Sequence, residues 1–329
     1  MLKANEIYLG DCLEVMQDIP DKSIQLIILD PPYFETKGDF DFIWKSFEDY
    51  LKDVEKWALA CKRVLADNGT MFWFGSSKRI AYTQVILDKC FNLVNSLVWE
   101  NTQESKQSMK YTEGLRSFAP LTERILMYSN EIGQTGLEMI MENNIKPLHP
   151  FGIYLREEFK KAGVTNKEIS KLFPSNTGGL TGCVSNWLNG DNVITEEQYL
   201  KIRKYLNNEY LRKEYEELRK EYEELRKEYE ELRRPFNNKQ NYGDVIRLPN
   251  YETCDFNHDT VKPLALYQAL IETCSREGDT VLDPMAGSGT TGVICKRFAR
   301  KYILIEKEAK FVKIIKLRLR QEKSMFDKI

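Results

Sequence analysis

IQLIILDPPY, residues Ile24–Tyr33, is almost wholly apolar up to an aspartate and then stops on two prolines. A short, nearly continuous apolar run predicts a strand buried on both faces, as in a parallel sheet covered by helices. Pro31 and Pro32 lack the N–H that a ladder needs, so the strand ends at Asp30. Outward from there, helical spacing runs from Phe47 to Val64, and Asp67-Asn68-Gly69 supplies a stop and turn. Thr70–Gly75 (TMFWFG) then reads as the next strand. Further strands are expected at Asn92–Glu100, Arg124–Tyr128, Thr280–Asp283 and Tyr302–Glu306, the last two flanking a helix of about twelve residues. This alternation predicts an open α/β sheet with helices on both faces.

The 329 residues suit one catalytic domain with an appended module. No apolar stretch reaches the ~20 residues needed to cross a bilayer, so no membrane association is expected. The start, MLKANEIYLGDCLEVMQ, lacks the basic and apolar segments of a secretory signal, and the expected location is cytoplasmic. Cys12, Cys61, Cys90, Cys183, Cys254, Cys274 and Cys295 form no CxxC pair, and His149 and His258 are the two histidines; neither set predicts a metal centre or a disulfide framework. A net charge of −2 carries no overall nucleic-acid signature, although it leaves room for a local basic surface.

Three segments follow from the texture: 1–145 and 236–329 as the two parts of one catalytic domain, and 146–235 as an inserted helical module in which strand-like runs disappear. The module ends in a tandem repeat, LRKEYEE, starting at Leu211, Leu218 and Leu225. Leu211, Tyr215, Leu218, Tyr222, Leu225, Tyr229 and Leu232 share one helical seam, and a helix over residues 209–234 would be a rod of roughly 39 Å. Such a rod could be a spacer, a partner helix for a homodimer, or a helix whose stripe packs on its own protein.

Two constellations carry chemistry. VLDPMAGSGTTG, residues 281–292, lies between a predicted strand and a predicted helix, where glycines let backbone and a helix N-terminus approach a ligand. Gly287, Gly289 and Gly292 satisfy GxGxxG, and Glu306 follows about 20 residues after the loop begins, so a dinucleotide site fits the same letters. Asp283 favours S-adenosylmethionine instead, because a carboxylate can hold an amino-acid ammonium but would repel a pyrophosphate. Glu306 is then placed to accept hydrogen bonds from ribose hydroxyls.

The other constellation is Asp30-Pro31-Pro32-Tyr33 at a strand's carboxyl end, where open α/β sheets place their sites. An exocyclic base amine is a poor nucleophile, because its lone pair is delocalised into the ring. Acceptors aimed at its N–H bonds favour the pyramidal amine of the transition state. The Asp30 carboxylate and the Pro31 carbonyl could supply them, with Pro32 fixing the backbone and Tyr33 stacking on a base swung out of its duplex.

With both constellations present, the chain resembles the amino-methylating DNA methyltransferases of the β arrangement, in which the tetrapeptide precedes the cofactor loop. The resemblance rests on GDCLEVMQDIPDKSIQLIILDPPY and HDTVKPLALYQALIETCSREGDTVLDPMAGSGTTG. It implies a permuted Rossmann-like sheet with an inserted α-helical target-recognition domain, S-adenosylmethionine as cofactor, and double-stranded DNA as substrate. Aspartate heading the tetrapeptide resembles the adenine N6 enzymes; cytosine N4 remains the alternative. By resemblance, Asp11 contacts the cofactor's adenine, Cys12 beside it also binds the cofactor, and Lys262 and Pro263 line its methionine side. Asp30, Asp283, Met285, Gly287, Ser288, Gly289, Thr290, Thr291, Glu306 and Lys307 complete that pocket. Met285 replaces a common phenylalanine, and Asp259 and Val261 replace a proline and a glutamine.

Within the insert, LREEFKKAGVTNKEISKLFPSNTGGLTGCVSNWLNGDNVITEEQYLKIRKYL resembles a repressor-type helix-turn-helix, with Thr165–Phe173 as first helix and Thr181–Leu188 as recognition helix. Ser185, Asn186 and Asn189 would reach base edges, and Lys167, Lys171, Lys201, Arg203 and Lys204 would meet phosphates. A cognate restriction endonuclease is a further expected partner. Competing readings are a methyltransferase for RNA or a protein amide, a nicotinamide oxidoreductase, and a non-catalytic DNA-binding regulator.

Overall fold

The computed structural model describes residues 2–34, 42–102, 116, 118, 121–130, 150–175, 179–249 and 261–322, with the side chains of 228–230 and 232 excepted. His149, Cys254, His258, Asp259 and the expected boundary at 145/146 lie outside the described residues. The described chain divides into two compact units, residues 1–134 with 234–329, and residues 135–233. No described helix is long and apolar enough to cross a membrane.

The first unit is built on an eight-stranded sheet in the order β1 (Glu6–Leu9), β8 (Lys301–Glu306), β7 (Thr280–Asp283), β2 (Ile24–Leu29), β3 (Leu65–Ser76), β5 (Thr122–Ser129), β4 (Asn92–Glu100) and β6 (Val245–Arg247). From β1 to β3 every pairing is parallel; β5 then runs antiparallel to both β3 and β4, and β6 is parallel to β4. In β2 the two faces feed different cores. Ile27 and Leu29 join the layer of the helix Phe47–Val64, whose Tyr50, Val54, Trp57, Ala58 and Cys61 recur at helical spacing. Leu26 and Ile28 join the opposite layer, with Leu266, Leu270 and Ile271 of the helix Leu264–Cys274 and Ile294 of the helix Thr290–Arg297. Burial on both faces explains why IQLIIL shows no alternation.

Several boundaries differ from those expected. Asp67-Asn68-Gly69 does not end an element but lies inside β3, where the pairing slips between Ile24↔Leu65 and Leu26↔Thr70. The extra residues are absorbed as an irregularity rather than a turn. The helix after the glycine loop has eight residues rather than about twelve, closing at Phe298 before Ala299 takes a left-handed φ of 57°. β1 and β6, of four and three residues, are too short to leave a periodic signature.

The second unit is helical, with helices at Pro150–Ala162, Asn166–Ser170, Cys183–Asn189, Glu196–Tyr205 and Tyr215–Leu232. Phe151, Leu155, Phe159, Trp187, Tyr199 and Ile202 form its core. Gly152 lets two helices touch, since a Cβ there would stand 2.6 Å from the Leu188 carbonyl oxygen. The rod expected over 209–234 is shorter: the helix spans 18 residues from Tyr215, about 27 Å. Leu211 has a left-handed φ of 56° and its N–H donates to buried Glu158 at 2.8 Å, while Tyr199 OH donates to the carbonyls of Leu211 and Lys213 at 3.2 and 2.7 Å. These bonds hold Leu211–Glu214, the first four residues of the first LRKEYEE, out of the helix that their sequence would otherwise extend. Leu211 and Leu218 are fully buried, and Tyr215 and Tyr222 pack against the same core, so this first part of the stripe folds onto its own unit.

Candidate active site

β2 and β7 pair in parallel with Leu26↔Val281 and Ile27↔Leu282 in register, which brings Asp30 and Asp283 to adjacent strand ends. The chain proceeds from β7 to β8 in one direction and from β2 to β3 in the other, so a crevice opens between them at the switch point of the sheet. A cavity of about 580 Å³ occupies this place. Its walls include Gly10, Asp11 and Cys12 after β1, Asp30 and Pro32 after β2, Asp283 to Ser288 after β7, and Glu306 and Lys307 after β8. Lys262, Thr290, Trp44, Trp57 and Tyr267 complete much of the lining. Thus Asp11, Cys12, Asp30, Pro32, Lys262, Asp283, Met285, Gly287, Ser288, Thr290, Glu306 and Lys307 are brought together, whereas Pro31, Tyr33, Pro263, Gly289 and Thr291 stand outside that lining.

The glycine loop is shaped by backbone requirements. Gly289 has a φ of +79°, and a Cβ on it would meet Ile315 at 2.7 Å, so both conformation and packing demand glycine. The Gly287 N–H donates to Glu306 Oε2 at 2.8 Å, and the Glu308 N–H donates to Oε1 at 2.7 Å. Burial raises the pKa of Glu306 against the lowering effect of these donors. Asp283 accepts from the Met285 N–H at 3.2 Å and from the Thr291 hydroxyl at 2.5 Å. It is 4% exposed, and burial pushes its carboxyl up to about 7 despite both donors, with Asp30 and Glu306 adding repulsion. Such a carboxyl ionises readily when a cation arrives. Asp11 is tied down as a helix cap, accepting from the Leu13 N–H at 2.9 Å.

At the tetrapeptide, Pro31 is buried, and the chain leaves through Phe34, whose φ of 59° is unusual for an aromatic residue. Phe34 is held among Trp44, Phe47 and Tyr50, with the Arg79 guanidinium 4.7 Å from its ring centre. Tyr33 OH donates to Asp30 Oδ1 at 2.5 Å and to Glu123 Oε2 at 3.1 Å. Lys262, 232 positions from Asp30 in the chain, places its ammonium 2.6 Å from Asp30 Oδ2 and 3.2 Å from Glu123 Oε2. Burial opposes that charge, but the two carboxylates outweigh it and raise the lysine pKa above its ordinary value. Tyr33 is shifted strongly upward by burial and by the same two carboxylates, so it stays a neutral phenol.

Two participants escaped the sequence reading. Glu123 lies at the start of β5, one residue before the strand expected from Arg124, and nothing in TERILMYS marks it as facing a site. Arg318 lies in the helix Ala309–Gln321, a segment that carries no motif in the sequence. Its guanidinium is nevertheless buried and donates to the Ser288 carbonyl at 2.8 Å, the Ser288 hydroxyl at 3.0 Å and Thr290 Oγ1 at 3.3 Å. Thr290 in turn bonds the Lys262 carbonyl at 3.2 Å, linking the glycine loop to the lysine segment.

In the helical unit, Lys167, Lys171, Ser185, Asn189, Lys201 and Lys204 are exposed and Asn186 is half-buried. Arg203 is half-buried, and Glu214 engages its guanidinium at 3.1 Å. Asn189 Oδ1 accepts from Arg156 at 3.0 Å, and the Lys201 ammonium lies 5.2 Å from the centre of the Phe173 ring. The helices Asn166–Ser170 and Cys183–Asn189 are joined by residues 171–182, which include an antiparallel bridge between Pro174 and Leu180. The first of these helices is shorter than the expected Thr165–Phe173, and the second begins two residues after the expected Thr181.

Comparison with known proteins agrees with this architecture. M.HinfI, a type II methyltransferase of Haemophilus influenzae, is 27% identical over 337 residues, covering 97% of this chain and 69% of its own. M2.DpnII, a type II methyltransferase of Streptococcus pneumoniae, is 24% identical over 95% of this chain and 88% of its own. A Thermus thermophilus protein described as a DNA modification methylase, solved in complex with S-adenosyl-L-methionine, shares the fold with a TM-score of 0.50 and 18% identity, over 96% of this chain and 95% of that one. The sequence profile of the N6/N4 DNA methylases matches residues 24–317. That profile spans both the tetrapeptide and the glycine loop, and the chain therefore belongs to the DNA methylase family.

Proposed function

We propose that the protein transfers the methyl group of S-adenosylmethionine to adenine N6 in double-stranded DNA. The observation that carries this reading is the pairing of β2 with β7, which puts Asp30 and the Asp283 to Ser288 loop on one cavity. The cavity has the size of a small-molecule site, and its donor set fits this cofactor. Asp283 suits an ammonium, Glu306 suits ribose hydroxyls, and the backbone bend at Gly287 and Gly289 admits close approach. S-adenosylmethionine supplies an electrophilic methyl group on a sulfonium.

This chain's residues supply the rest. Asp30 and the rigid carbonyl of Pro31 grip the N–H bonds of the target amine, which localises its lone pair and aims it along the line of transfer. Pro32 fixes the turn, and Tyr33 flanks a base swung out of the stack. The proton lost by the methylated amine passes to solvent. Aspartate at the head of the tetrapeptide supports adenine over cytosine. The helical unit, with its exposed lysines and asparagines, serves as target-recognition domain, and cytoplasmic location accords with a DNA substrate. The relatives' designation as type II methyltransferases supports a cognate endonuclease as cellular partner. Burial of Leu211 and Leu218 in their own unit withholds that part of the stripe from a homodimer seam.

Incubating the protein with tritiated S-adenosylmethionine and DNA, RNA or protein tests the reading. Label in DNA alone is expected, and label confined to RNA or protein would overturn it.

A further inference from the structure

In the free protein the catalytic aspartate is already spoken for. Tyr33 donates to Asp30 Oδ1 at 2.5 Å and Lys262 to Asp30 Oδ2 at 2.6 Å. Each oxygen keeps a second lone pair, but the ammonium and the phenol draw on the negative charge that must grip an incoming amine N–H, so Asp30 holds the amine more strongly when these donors turn away. A buried ammonium and a half-buried phenol do not simply let go, because each would give up a charge-assisted hydrogen bond without a compensating acceptor. Lys262 is 8% exposed, so water does not offer it an easy alternative.

Glu123 supplies that alternative. Its Oε2 lies 3.1 Å from Tyr33 OH and 3.2 Å from Lys262 Nζ, while those two atoms are 3.2 Å from each other. Both donors thus already touch a second carboxylate, at lengths 0.6 Å greater than their contacts with Asp30 (3.1 against 2.5 Å, and 3.2 against 2.6 Å). Small rotations would exchange the long partner for the short one. Glu123 sits on β5, antiparallel to β3 with Ser76↔Glu123 in register, so its backbone stays fixed while the side chains shift.

We propose that Glu123 is a positioning residue that takes Lys262 and Tyr33 from Asp30 as the target amine arrives, freeing the aspartate to bind it. This rests on the amine-methylating role given to Asp30 above. The exchange conserves charge: one ammonium remains between two carboxylates throughout, and the amine takes the place that the ammonium leaves. Without Glu123, Lys262 has Asp30 as its sole carboxylate among these contacts and would hold it against the amine.

The test compares wild type, Glu123→Gln, Glu123→Asp and the double variant Glu123→Gln with Lys262→Met, each saturated with S-adenosylmethionine and mixed with duplex DNA in single turnover. Cofactor affinity is measured in parallel by calorimetry. Glu123→Gln is expected to slow methyl transfer at least tenfold while leaving cofactor affinity within about twofold. Glu123→Asp should recover part of the rate, and the double variant should be several-fold faster than Glu123→Gln because the competing ammonium is gone. A merely structural glutamate would show no such recovery on losing a second buried residue. Wild-type rate in Glu123→Gln, or a double variant no faster than Glu123→Gln, would overturn the proposal. If Glu123→Gln does not fold, Glu123→Asp decides: full rate together with unchanged DNA affinity refutes the exchange, and slowed transfer with unchanged cofactor affinity supports it. A wild-type protein that labels no DNA would instead refute the function on which this rests.

Discussion

Asp283 makes the strongest quantitative prediction. In the free protein it is 4% exposed and burial holds its carboxyl up to about 7. The form that attracts the cofactor's ammonium is the carboxylate, so binding must expel the proton wherever the free protein carries one. A group whose bound pKa is depressed relative to its free value contributes its full affinity above the free value and loses it as pH falls. Below pH 7 the loss approaches tenfold per unit, and between pH 7.5 and 5.5 it amounts to roughly 25-fold, about 1.9 kcal/mol. The upper limit is kept at 7.5 because an α-amino group begins to lose its own proton near 8. Isothermal titration of S-adenosylmethionine across this range reads the effect, and proton uptake or release can be followed with buffers of different ionisation heat. Glu306, also raised by burial, would add to the slope in the same direction, so Asp283→Asn isolates the first contribution. That variant should bind weakly at every pH and with a much flatter profile. Constant wild-type affinity from pH 5.5 to 7.5 would refute both the ammonium contact and the reasoning from burial.

Three further outcomes follow from the packing. Gly289→Ala forces a side chain into a φ of +79° and to 2.7 Å from Ile315, at a cost of about 2 to 5 kcal/mol; thermal unfolding and cofactor titration should both show the loss. Arg318→Met leaves the Ser288 carbonyl without its charged donor, and should cost about 1 to 3 kcal/mol of stability and weaken the cofactor without changing which base is methylated. Deleting any one LRKEYEE gives the same chain, because the three copies are identical. It should shorten the helix by about 10 Å at its far end while the buried leucines are retained, so circular dichroism should lose helix but the melting temperature should move by less than about 2 °C.

Much of this architecture was legible because its signals are local and repeated. The apolar run before Asp30, the helix Phe47–Val64 with its Ser46 cap, and the glycine loop each announce themselves through side chains that physical chemistry restricts. Pairing was less legible. No pattern in TERILMYS shows that β5 reverses direction between β3 and β4, since a strand buried on both faces looks alike in either orientation. Long-range neutralisation was also hidden: Lys262 was expected beside the cofactor, but nothing in the sequence sets it between Asp30 and Glu123 as the fold does. The heptads misled for a related reason. Identical copies have identical propensity, yet the first four residues of the first copy are held out of the helix by Glu158 and Tyr199, which lie outside the repeat. Tertiary hydrogen bonds there override a helical preference worth only tenths of a kcal/mol per residue.

The central claim, that the Asp30 strand tip and the cofactor loop act together on one base amine, is tested most directly by analysing the nucleosides of DNA treated with the protein and S-adenosylmethionine. Wild type should produce N6-methyladenine, and Asp30→Ala should bind the cofactor normally while its product yield falls by about 10²-fold or more. Undiminished N6-methyladenine from Asp30→Ala, or no methylated base from the wild-type protein, would contradict the account.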